Sequence, residues 1–377
     1  MDLAQTLKND TSTQPIRCID MHTTGEPTRI VYSGFPSLSG TLLEQRDQAI
    51  RKYDHVRRRL MLEPRGHDGM YGAIIRPETE LVRSGEAHVG VLFIHNEGFS
   101  TMCGHATIAL GRFLVDTHDL AVFLNGKRWK VMVPVTPDAR KSDASRPVTF
   151  LSTPAFASAI QLKVPIPSEV RWPELGEKNS ICLDVSYGGA FYAIVNADDL
   201  GLTNGLKDVD LDVATRCVQK LKPYLESRPE IKSAIQHPED ERLSFLYSVM
   251  IVDPNRGYKP DNVAGAETGL CYFAENQIDR SPTGSCVTAR MALAYAKGLR
   301  PVGQRWAYNS IVSNHFGAGT FSAEIVGKTT IDGPDGSSIE SVVVQVEGQA
   351  FYTGTSTFLV EDGDAMSSSG FTMNIVT

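Results

Sequence analysis

Residues 18–31 read CIDMHTTGEPTRIV, and residues 182–195 read CLDVSYGGAFYAIV. In both stretches a cysteine begins the segment, an aspartate and a glycine follow at the same spacing, and Ile-Val ends it. Each stretch predicts a strand, a glycine turn and a second strand, because short β-branched runs are interrupted by glycine. The shared order indicates that the chain contains two related halves.

Each half continues into an apolar helix. Residues 103–115 (CGHATIALGRFLV) and residues 283–296 (TGSCVTARMALAYA) both begin with small polar residues. Neither predicted helix has a polar face, and such a helix is buried in a core. The sequence therefore predicts a mixed α/β (α+β) protein with two pseudo-symmetric halves, each with strands around a buried helix. Chance similarity among common residues is the alternative to duplication.

Composition sets limits on the class of protein. The chain has 377 residues, of which 41% are hydrophobic and 21% charged, and this predicts two or three globular domains. A net charge of −7 does not favour binding to nucleic acid or an anionic membrane. Residues 1–15 are predicted to be a polar N-terminal tail, with no secretory signal or membrane span. The six cysteines are scattered and form no C-x-x-C, which favours a cytoplasmic protein with reduced thiols.

Three further segments have clear patterns. Residues 41–61 predict an amphipathic helix, and residues 210–227 predict another. Residues 339–360 alternate and are rich in Val and Thr, which predicts strands. The basic run Arg57-Arg58-Arg59 is expected to be a solvated helix face rather than a binding patch.

Common cofactor and metal motifs are missing from the sequence. It contains no P-loop, no complete dinucleotide fingerprint, no H-E-x-x-H and no G-x-S-x-G. None of its close Cys/His pairs is accompanied by a second pair at the spacing typical of a zinc site. We therefore expect no metal and no cofactor.

The start of the first buried helix carries Cys103. A thiol at a helix N-terminus has its pKa lowered from about 8.5, because unpaired N–H groups and the helix dipole favour the thiolate. Cys103 is thus a candidate base or nucleophile, and Gly104 allows a ligand close to the backbone. The same N–H groups can hold a carboxylate. The alternative is a buried structural cysteine.

The second buried helix is opened by the stretch Asp279-Arg-Ser-Pro-Thr283-Gly284-Ser285. By itself this stretch is also ordinary N-capping sequence. If the halves arose by duplication, however, the two helix starts face one another and hold one carboxylate between them. Thr283 then stands where Cys103 stands in the first half.

These segments resemble the proline racemase family. Its signatures are similar to Met-Cys103-Gly-His before an apolar helix, and to Asp279-Arg-Ser-Pro-x-Gly. Residues 63–72 (EPRGHDGMYG) and 188–195 (GGAFYAIV) are similar to further family segments, and the resemblance runs from about residue 17 to 360. It implies a fold like diaminopimelate epimerase, in which each half is a curled sheet or barrel around a central helix. The domains are expected at residues 16–182 with about 350–377, and at residues 183–349.

The resemblance also implies an activity. The family acts on proline and hydroxyprolines without pyridoxal phosphate or metal, and members with two catalytic cysteines are racemases or epimerases. Here Thr283 occupies the second position, and a threonine hydroxyl is too weak an acid to replace a thiol. Members with threonine there resemble trans-3-hydroxy-L-proline dehydratases. The implied function is a hydro-lyase in which Cys103 removes the Cα proton and the 3-hydroxyl leaves as water, giving Δ1-pyrroline-2-carboxylate.

The resemblance assigns further site residues. Asp279 would pair with the ring ammonium, and Thr283 would either hydrogen-bond the leaving hydroxyl or fill space. His67 is expected to be a turn histidine, and His105 to act through its backbone. The substrate carboxylate would bind backbone N–H groups at the two helix starts, those of Gly104, His105, Gly284 and Ser285.

Some alternatives remain open. Cys286 and Val287 stand where the family commonly has Gly-Thr, so Cys286 either points inward as a second acid or, as we expect, turns away into the core. Other candidate functions are a proline racemase, a 4-hydroxyproline 2-epimerase, a non-catalytic protein that binds proline analogues, and, remotely, a cysteine hydrolase. A homodimer is a further expectation from the family.

Overall fold

The structure is a computed structural model that describes residues 14–117, 131–274, 276–333 and 336–373. Residues 1–13 of the predicted N-terminal tail lie outside the described residues. The helices are α1 Leu42–Met61, α2 Glu80–Arg83, α3 Gly104–Asp116, α4 Leu211–Ser227, α5 Pro229–Ala234, α6 Gly284–Ala296, α7 Ile311–Phe316 and α8 Ala365–Ser369. The strands are β1 Ile16–Thr23, β2 Glu26–Ser33, β3 Tyr71–Arg76, β4 Gly90–His95, β5 Phe99–Ser100, β6 Val131–Met132, β7 Val148–Leu151, β8 Phe156–Pro165, β9 Ser180–Tyr187, β10 Phe191–Asn196, β11 Leu246–Asp253, β12 Gly265–Phe273, β13 Gln277–Ile278, β14 Trp306–Asn309, β15 Phe321–Asp332, β16 Ser338–Gly348 and β17 Ala350–Phe358.

The fold is mixed α/β, as predicted, and the chain forms two compact units. The first unit ends at Val148 and resumes at Gln349, and the second runs from Thr149 to Gly348. The boundary expected from the sequence lies at residue 182 instead. Strand β8 pairs antiparallel with β9, and this pairing holds residues 156–182 in the second unit.

The first unit contains a sheet in the order β17-β1-β2-β3-β4-β5. Strand β1 pairs antiparallel with both β17 and β2, whereas β2 and β3 are parallel. The predicted hairpin in residues 18–31 is therefore confirmed. Helix α3 packs against β1, β2, β3 and β17 and is buried over most of its length.

Helix α1 confirms the amphipathic pattern predicted for residues 41–61. Thr41 and Glu44 form a capping box at its start. The expectation of a solvated basic face near its end was wrong. Arg57 is buried and donates to the backbone oxygens of His95 and Asn96. Burial is tolerated here because Asp54 and these carbonyl oxygens satisfy the guanidinium. The helix sequence alone cannot reveal the contact with the carbonyls.

The second unit contains a sheet in the order β7-β16-β15-β14-β12-β11-β10-β9-β8, with β13 paired to β12. The sheet curls until Ala155, just before β8, bridges Val342 of β16. Helix α6 packs against β8, β9, β10, β15 and β16, and its residues from Gly284 to Ala294 are buried. The hairpin predicted in residues 182–195, the helix in residues 210–227 and the strands in residues 339–360 are confirmed.

In the described part of the chain, no helix combines the length and the apolar character needed to cross a membrane.

Candidate active site

The first helix start places Cys103 at the N-cap of α3. Its Sγ accepts a hydrogen bond from the Ala106 N–H at 3.4 Å, and the residue is only 4% exposed. A cysteine in this position interacts directly with the electropositive end of the helix. Such contact stabilises the thiolate form, which is the form that acts as a base or nucleophile.

The imidazole of His105 lies against this thiol. Nδ1 of His105 is 3.2 Å from Cys103 Sγ, and Nε2 is 3.6 Å away. The edge of Tyr71 packs on the same imidazole, with ring centroids 4.8 Å apart. The sequence analysis had given His105 a backbone role, so this side-chain contact was missed. The i, i+2 spacing of the two residues was the available signal, but the contact depends on the rotamer of His105.

Thr23 is a second residue that the sequence analysis missed. It ends strand β1, is completely buried, and its Oγ1 donates to the backbone oxygen of His105 at 2.9 Å. This bond ties the glycine-turn hairpin of the first unit to the first turn of α3. The hairpin thereby fixes the position of the Cys103–His105 segment.

The second helix start has a different construction. Thr283 occupies the N-cap of α6 with φ 62° and ψ 86°, and its side chain makes no capping bond. Its Oγ1 instead donates to Asp279 Oδ2 at 2.7 Å, while the Ser281 N–H donates to Asp279 Oδ1 at 2.8 Å. The alternative that Thr283 is an ordinary N-capping residue is therefore wrong. A β-branched residue with positive φ costs conformational energy, and such strain is concentrated at functional sites.

The geometry leaves a limited role for the Thr283 hydroxyl. Because its proton is given to Asp279, the oxygen can act toward a further group only as an acceptor. Asp279 is 5% exposed, and each of its oxygens retains a lone pair for another donor. This arrangement can receive a cationic N–H group, and it provides no second acid comparable with a thiol.

Cys286 turns into the core of the second unit, as predicted. It is completely buried and packs in an apolar cluster with Ala190, Met250 and Cys271. Burial raises the pKa of the Cys286 thiol well above its ordinary value. Cys286 is therefore unsuited to supply the missing second acid–base group.

His67 lies in the turn before β3, in agreement with the prediction. Its Nδ1 accepts a hydrogen bond from the Gly69 N–H at 3.1 Å. It also lines a cavity of about 460 Å³ in the first unit, beside Arg29 and Arg65. The described residues contain no group of three or more His, Cys, Asp or Glu side chains that could hold a metal ion.

The candidate residues thus form one group within each unit. The first unit brings together Cys103, Gly104 and His105 at the start of α3. The second unit brings together Asp279, Thr283, Gly284 and Ser285 at the start of α6. Both groups lie at the start of a buried helix, where backbone N–H groups lack helical partners and attract anions.

Comparison with known proteins identifies the family. The sequence model of the family "Proline racemase" matches residues 18–372. This chain belongs to the proline racemase family. The trans-3-hydroxy-L-proline dehydratase of Homo sapiens is 40% identical over 371 residues, which cover 95% of this chain and 95% of that protein. The trans-3-hydroxy-L-proline dehydratase of Bacillus thuringiensis subsp. konkukian is 34% identical over 354 residues, covering 92% of this chain and 95% of that one.

A solved structure supports the fold of this proline racemase family member. The crystal structure of a hydroxyproline epimerase from Agrobacterium vitis, with bound trans-4-hydroxy-L-proline, matches with a TM-score of 0.72 and covers 97% of this chain and 98% of that one. The two sequences are 19% identical, so the likeness establishes the shared fold. The predicted fold class is thus confirmed.

Proposed function

We propose that this protein is a trans-3-hydroxy-L-proline dehydratase, a hydro-lyase that needs no pyridoxal phosphate. The observation that carries the proposal is the pairing of a thiol at one helix start, Cys103, with a hydroxyl at the other, Thr283. Relatives that match nearly the whole chain bear this name, and a hydroxyproline-type small molecule is the substrate class that they indicate. The reaction converts the substrate to Δ1-pyrroline-2-carboxylate and water.

Cys103 is the proposed base for the Cα proton. Its contact with the Ala106 N–H favours the thiolate, since it places a donor against sulfur. The His105 imidazole adds a second donor in the tautomer or charge state that carries a proton on Nδ1. The carbanion formed at Cα delocalises into the carboxylate. Backbone N–H groups of Gly104, His105, Gly284 and Ser285 are the proposed partners of that developing charge.

Substrate stereochemistry explains why one thiol suffices. In trans-3-hydroxy-L-proline the hydroxyl and the carboxylate lie on opposite faces of the ring, so the hydroxyl shares a face with the Cα hydrogen. A base that reaches this hydrogen therefore lies on the same face of the ring as the leaving hydroxyl. After it takes the Cα proton, the Cys103 thiol can give a proton to the departing hydroxide, and water leaves. The enamine then tautomerises to Δ1-pyrroline-2-carboxylate.

Asp279 and Thr283 have supporting roles in the proposed mechanism. Asp279 pairs with the ring ammonium through the lone pairs that its two local hydrogen bonds leave available. In the proposed mechanism Thr283 orients Asp279 and fills space without returning a proton. Of its two expected roles, the bond from Thr283 to Asp279 favours space filling, because the hydroxyl proton is already given away.

The test is incubation of the purified protein with trans-3-hydroxy-L-proline, followed by direct NMR detection of Δ1-pyrroline-2-carboxylate. We expect product with the wild-type protein and its loss, by at least about a thousandfold in rate, in Cys103→Ser, because the hydroxyl is a far weaker base. Cys182→Ser is the matched control, since this half-buried thiol lies on strand β9. Full activity of Cys103→Ser would contradict the mechanism.

Parallel incubations separate the proposal from the alternative functions. L-proline and trans-4-hydroxy-L-proline in deuterated water would gain deuterium at Cα if the protein were a racemase or epimerase. Tight binding of a planar proline-like carboxylate without turnover of any substrate would indicate a binding protein. The expected homodimer and cytoplasmic location remain predictions, which sedimentation and cell fractionation can test.

A further inference from the structure

The second residue of helix α6 makes a buried hydrogen bond to the sheet. Ser285 Oγ lies 2.6 Å from the hydroxyl oxygen of Tyr192 on strand β10. Tyr192 is completely inaccessible to solvent, and Ser285 is 3% exposed. The pair has no other side-chain hydrogen-bond partner among the described residues.

The direction of this hydrogen bond follows from the surroundings of each hydroxyl. The two groups carry two protons and share one bond, so one O–H is left over. If Ser285 donated, the phenol proton would be left unsatisfied within an apolar cluster that includes Ile194 and Met250, which is costly. If Tyr192 donates, the remaining proton belongs to Ser285 at the helix start. A phenol is also more acidic than a serine hydroxyl and is therefore the better donor. Burial raises the pKa of Tyr192, so the phenol keeps its proton.

The surrounding contacts hold Ser285 in place for this bond. The turn that follows strand β9 approaches helix α6 so closely that a Cβ on Gly188 would lie 2.3 Å from the Ser285 backbone oxygen. Ser186 on the same strand donates to the backbone oxygen of Ala289 at 2.8 Å. The first turns of α6 are thus packed against the β9–β10 hairpin, which keeps the Ser285 backbone beside Tyr192.

We propose that Tyr192 is a positioning residue for carboxylate recognition: it donates to Ser285 Oγ and so leaves the Ser285 O–H as a donor to the substrate carboxylate. Hydrogen bonds in a chain polarise one another, so the phenol strengthens Ser285 as a donor. The side-chain donor adds to the backbone N–H groups at the same helix start. This inference rests on the proposed function, which places the carboxylate there.

The test measures binding of pyrrole-2-carboxylate by calorimetry, together with kcat and KM for trans-3-hydroxy-L-proline. Tyr192→Phe removes only the phenol oxygen. We expect the dissociation constant and KM to rise about fivefold, the usual effect of losing one hydrogen bond. Tyr272→Phe is the matched control, because Tyr272 is also buried and bonds a hydroxyl, that of Thr215 at 3.2 Å. The control should bind pyrrole-2-carboxylate as the wild type does.

A double-mutant cycle distinguishes positioning from packing. Ser285→Ala keeps the backbone N–H but removes the hydroxyl, and in that background Tyr192→Phe should have no further effect on affinity. Equal losses in both backgrounds would overturn the proposal, as would wild-type affinity of Tyr192→Phe. Should Tyr192→Phe fold poorly, as judged by its melting temperature, wild-type affinity of Ser285→Ala alone would overturn it. A wild-type protein that yields no product would instead count against the proposed function.

Discussion

Thr283 is the residue on which the expected reaction depends. It holds a left-handed backbone conformation and gives its hydroxyl proton to Asp279. The hydroxyl is thus used to orient a carboxylate, and its own proton is too weakly acidic to exchange at neutral pH. A thiol in the same place would have a pKa within reach of neutrality, near an electropositive helix start.

We expect Thr283→Cys to introduce Cα exchange. The second thiol could protonate the carbanion on the face away from Cys103, so L-proline and trans-4-hydroxy-L-proline should gain deuterium at Cα in deuterated water, at a rate at least about tenfold above wild type. NMR of the recovered amino acids measures this incorporation. Thr283→Ser is the control, since it keeps a hydroxyl and should give no exchange. Failure of Thr283→Cys to exchange would mean that this side chain does not reach the far face of the ring.

The stereochemistry of the proposed elimination predicts discrimination between two isomers. In cis-3-hydroxy-L-proline the hydroxyl lies on the face opposite the Cα hydrogen, beyond the reach of a protonated Cys103. We expect kcat/KM for this isomer to be at least about a hundredfold lower than for the trans isomer, because general-acid assistance is worth that much or more. Comparable rates would show that another group protonates the leaving hydroxyl, and Thr283 with Asp279 would then be the first candidates.

For single residues, the sequence predicts the features that depend on local position in the chain. Cys103 and Thr283 could be found because each directly precedes a helix, and Cys286 could be assigned to the core by its helical position. The His105 imidazole on the Cys103 thiol and the Tyr192–Ser285 bond could not be predicted. The first depends on a side-chain rotamer, and the second joins residues 93 positions apart in sequence.

Helix α6 depends on a close approach to the turn between strands β9 and β10. A side chain at Gly188 would collide with backbone atoms, 2.3 Å from the oxygen of Ser285 and 2.5 Å from the nitrogen of Ala289. Backbone atoms in a packed core cannot move aside cheaply, so glycine is required here.

We therefore expect Gly188→Ala to displace the first turn of α6. Activity should fall by about tenfold or more, since a shift of about 1 Å in a binding group can cost a hundredfold in rate. The melting temperature should fall as well, because overpacking destabilises. Gly327→Ala on β15 is the control, as no atom lies within 4 Å of its added Cβ. Activity assays and thermal unfolding of both variants test the expectation, and equal behaviour would contradict it.

The helices and strands were largely predictable, but the long-range contacts between them were not. The hairpins and both buried helices follow from glycine turns, β-branched runs and apolar periodicity, all of which are local. The burial of Arg57 was not predictable, because a basic run at the end of an amphipathic helix normally faces water. Asp54 pairs with it from the same helix, but its other partners are the carbonyls of residues 95 and 96, which the fold alone brings to α1.

The second unit contains a buried ionic cluster in its core. Glu267 on β12 accepts from Arg290 Nε at 2.8 Å and also from Arg300. The two guanidiniums also stack on Tyr308 and Trp306, with Arg290 4.6 Å from the Tyr308 centroid and Arg300 4.1 Å from that of Trp306. Removing one member of such a cluster leaves buried charge without compensation, which typically costs about 3–5 kcal/mol.

Glu267→Gln should therefore lower the free energy of unfolding by about 3–5 kcal/mol at pH 7. Burial alone would raise the pKa of Glu267, but the charges of Arg290 and Arg300 outweigh it, and the net pKa is lowered. A lowered carboxyl pKa stabilises the fold above the unfolded value of about 4.3, and this contribution is lost as the pH falls toward the folded value. The deficit of Glu267→Gln should thus be constant from pH 8 to about 5 and shrink below that, as denaturant unfolding across this range would measure.

Glu174→Gln is the control, since its pair with Arg216 is partly exposed and should contribute about 1 kcal/mol or less. A deficit for Glu267→Gln that matched the control, or that grew toward acid pH, would mean that the carboxylate does not hold the two arginines in the core.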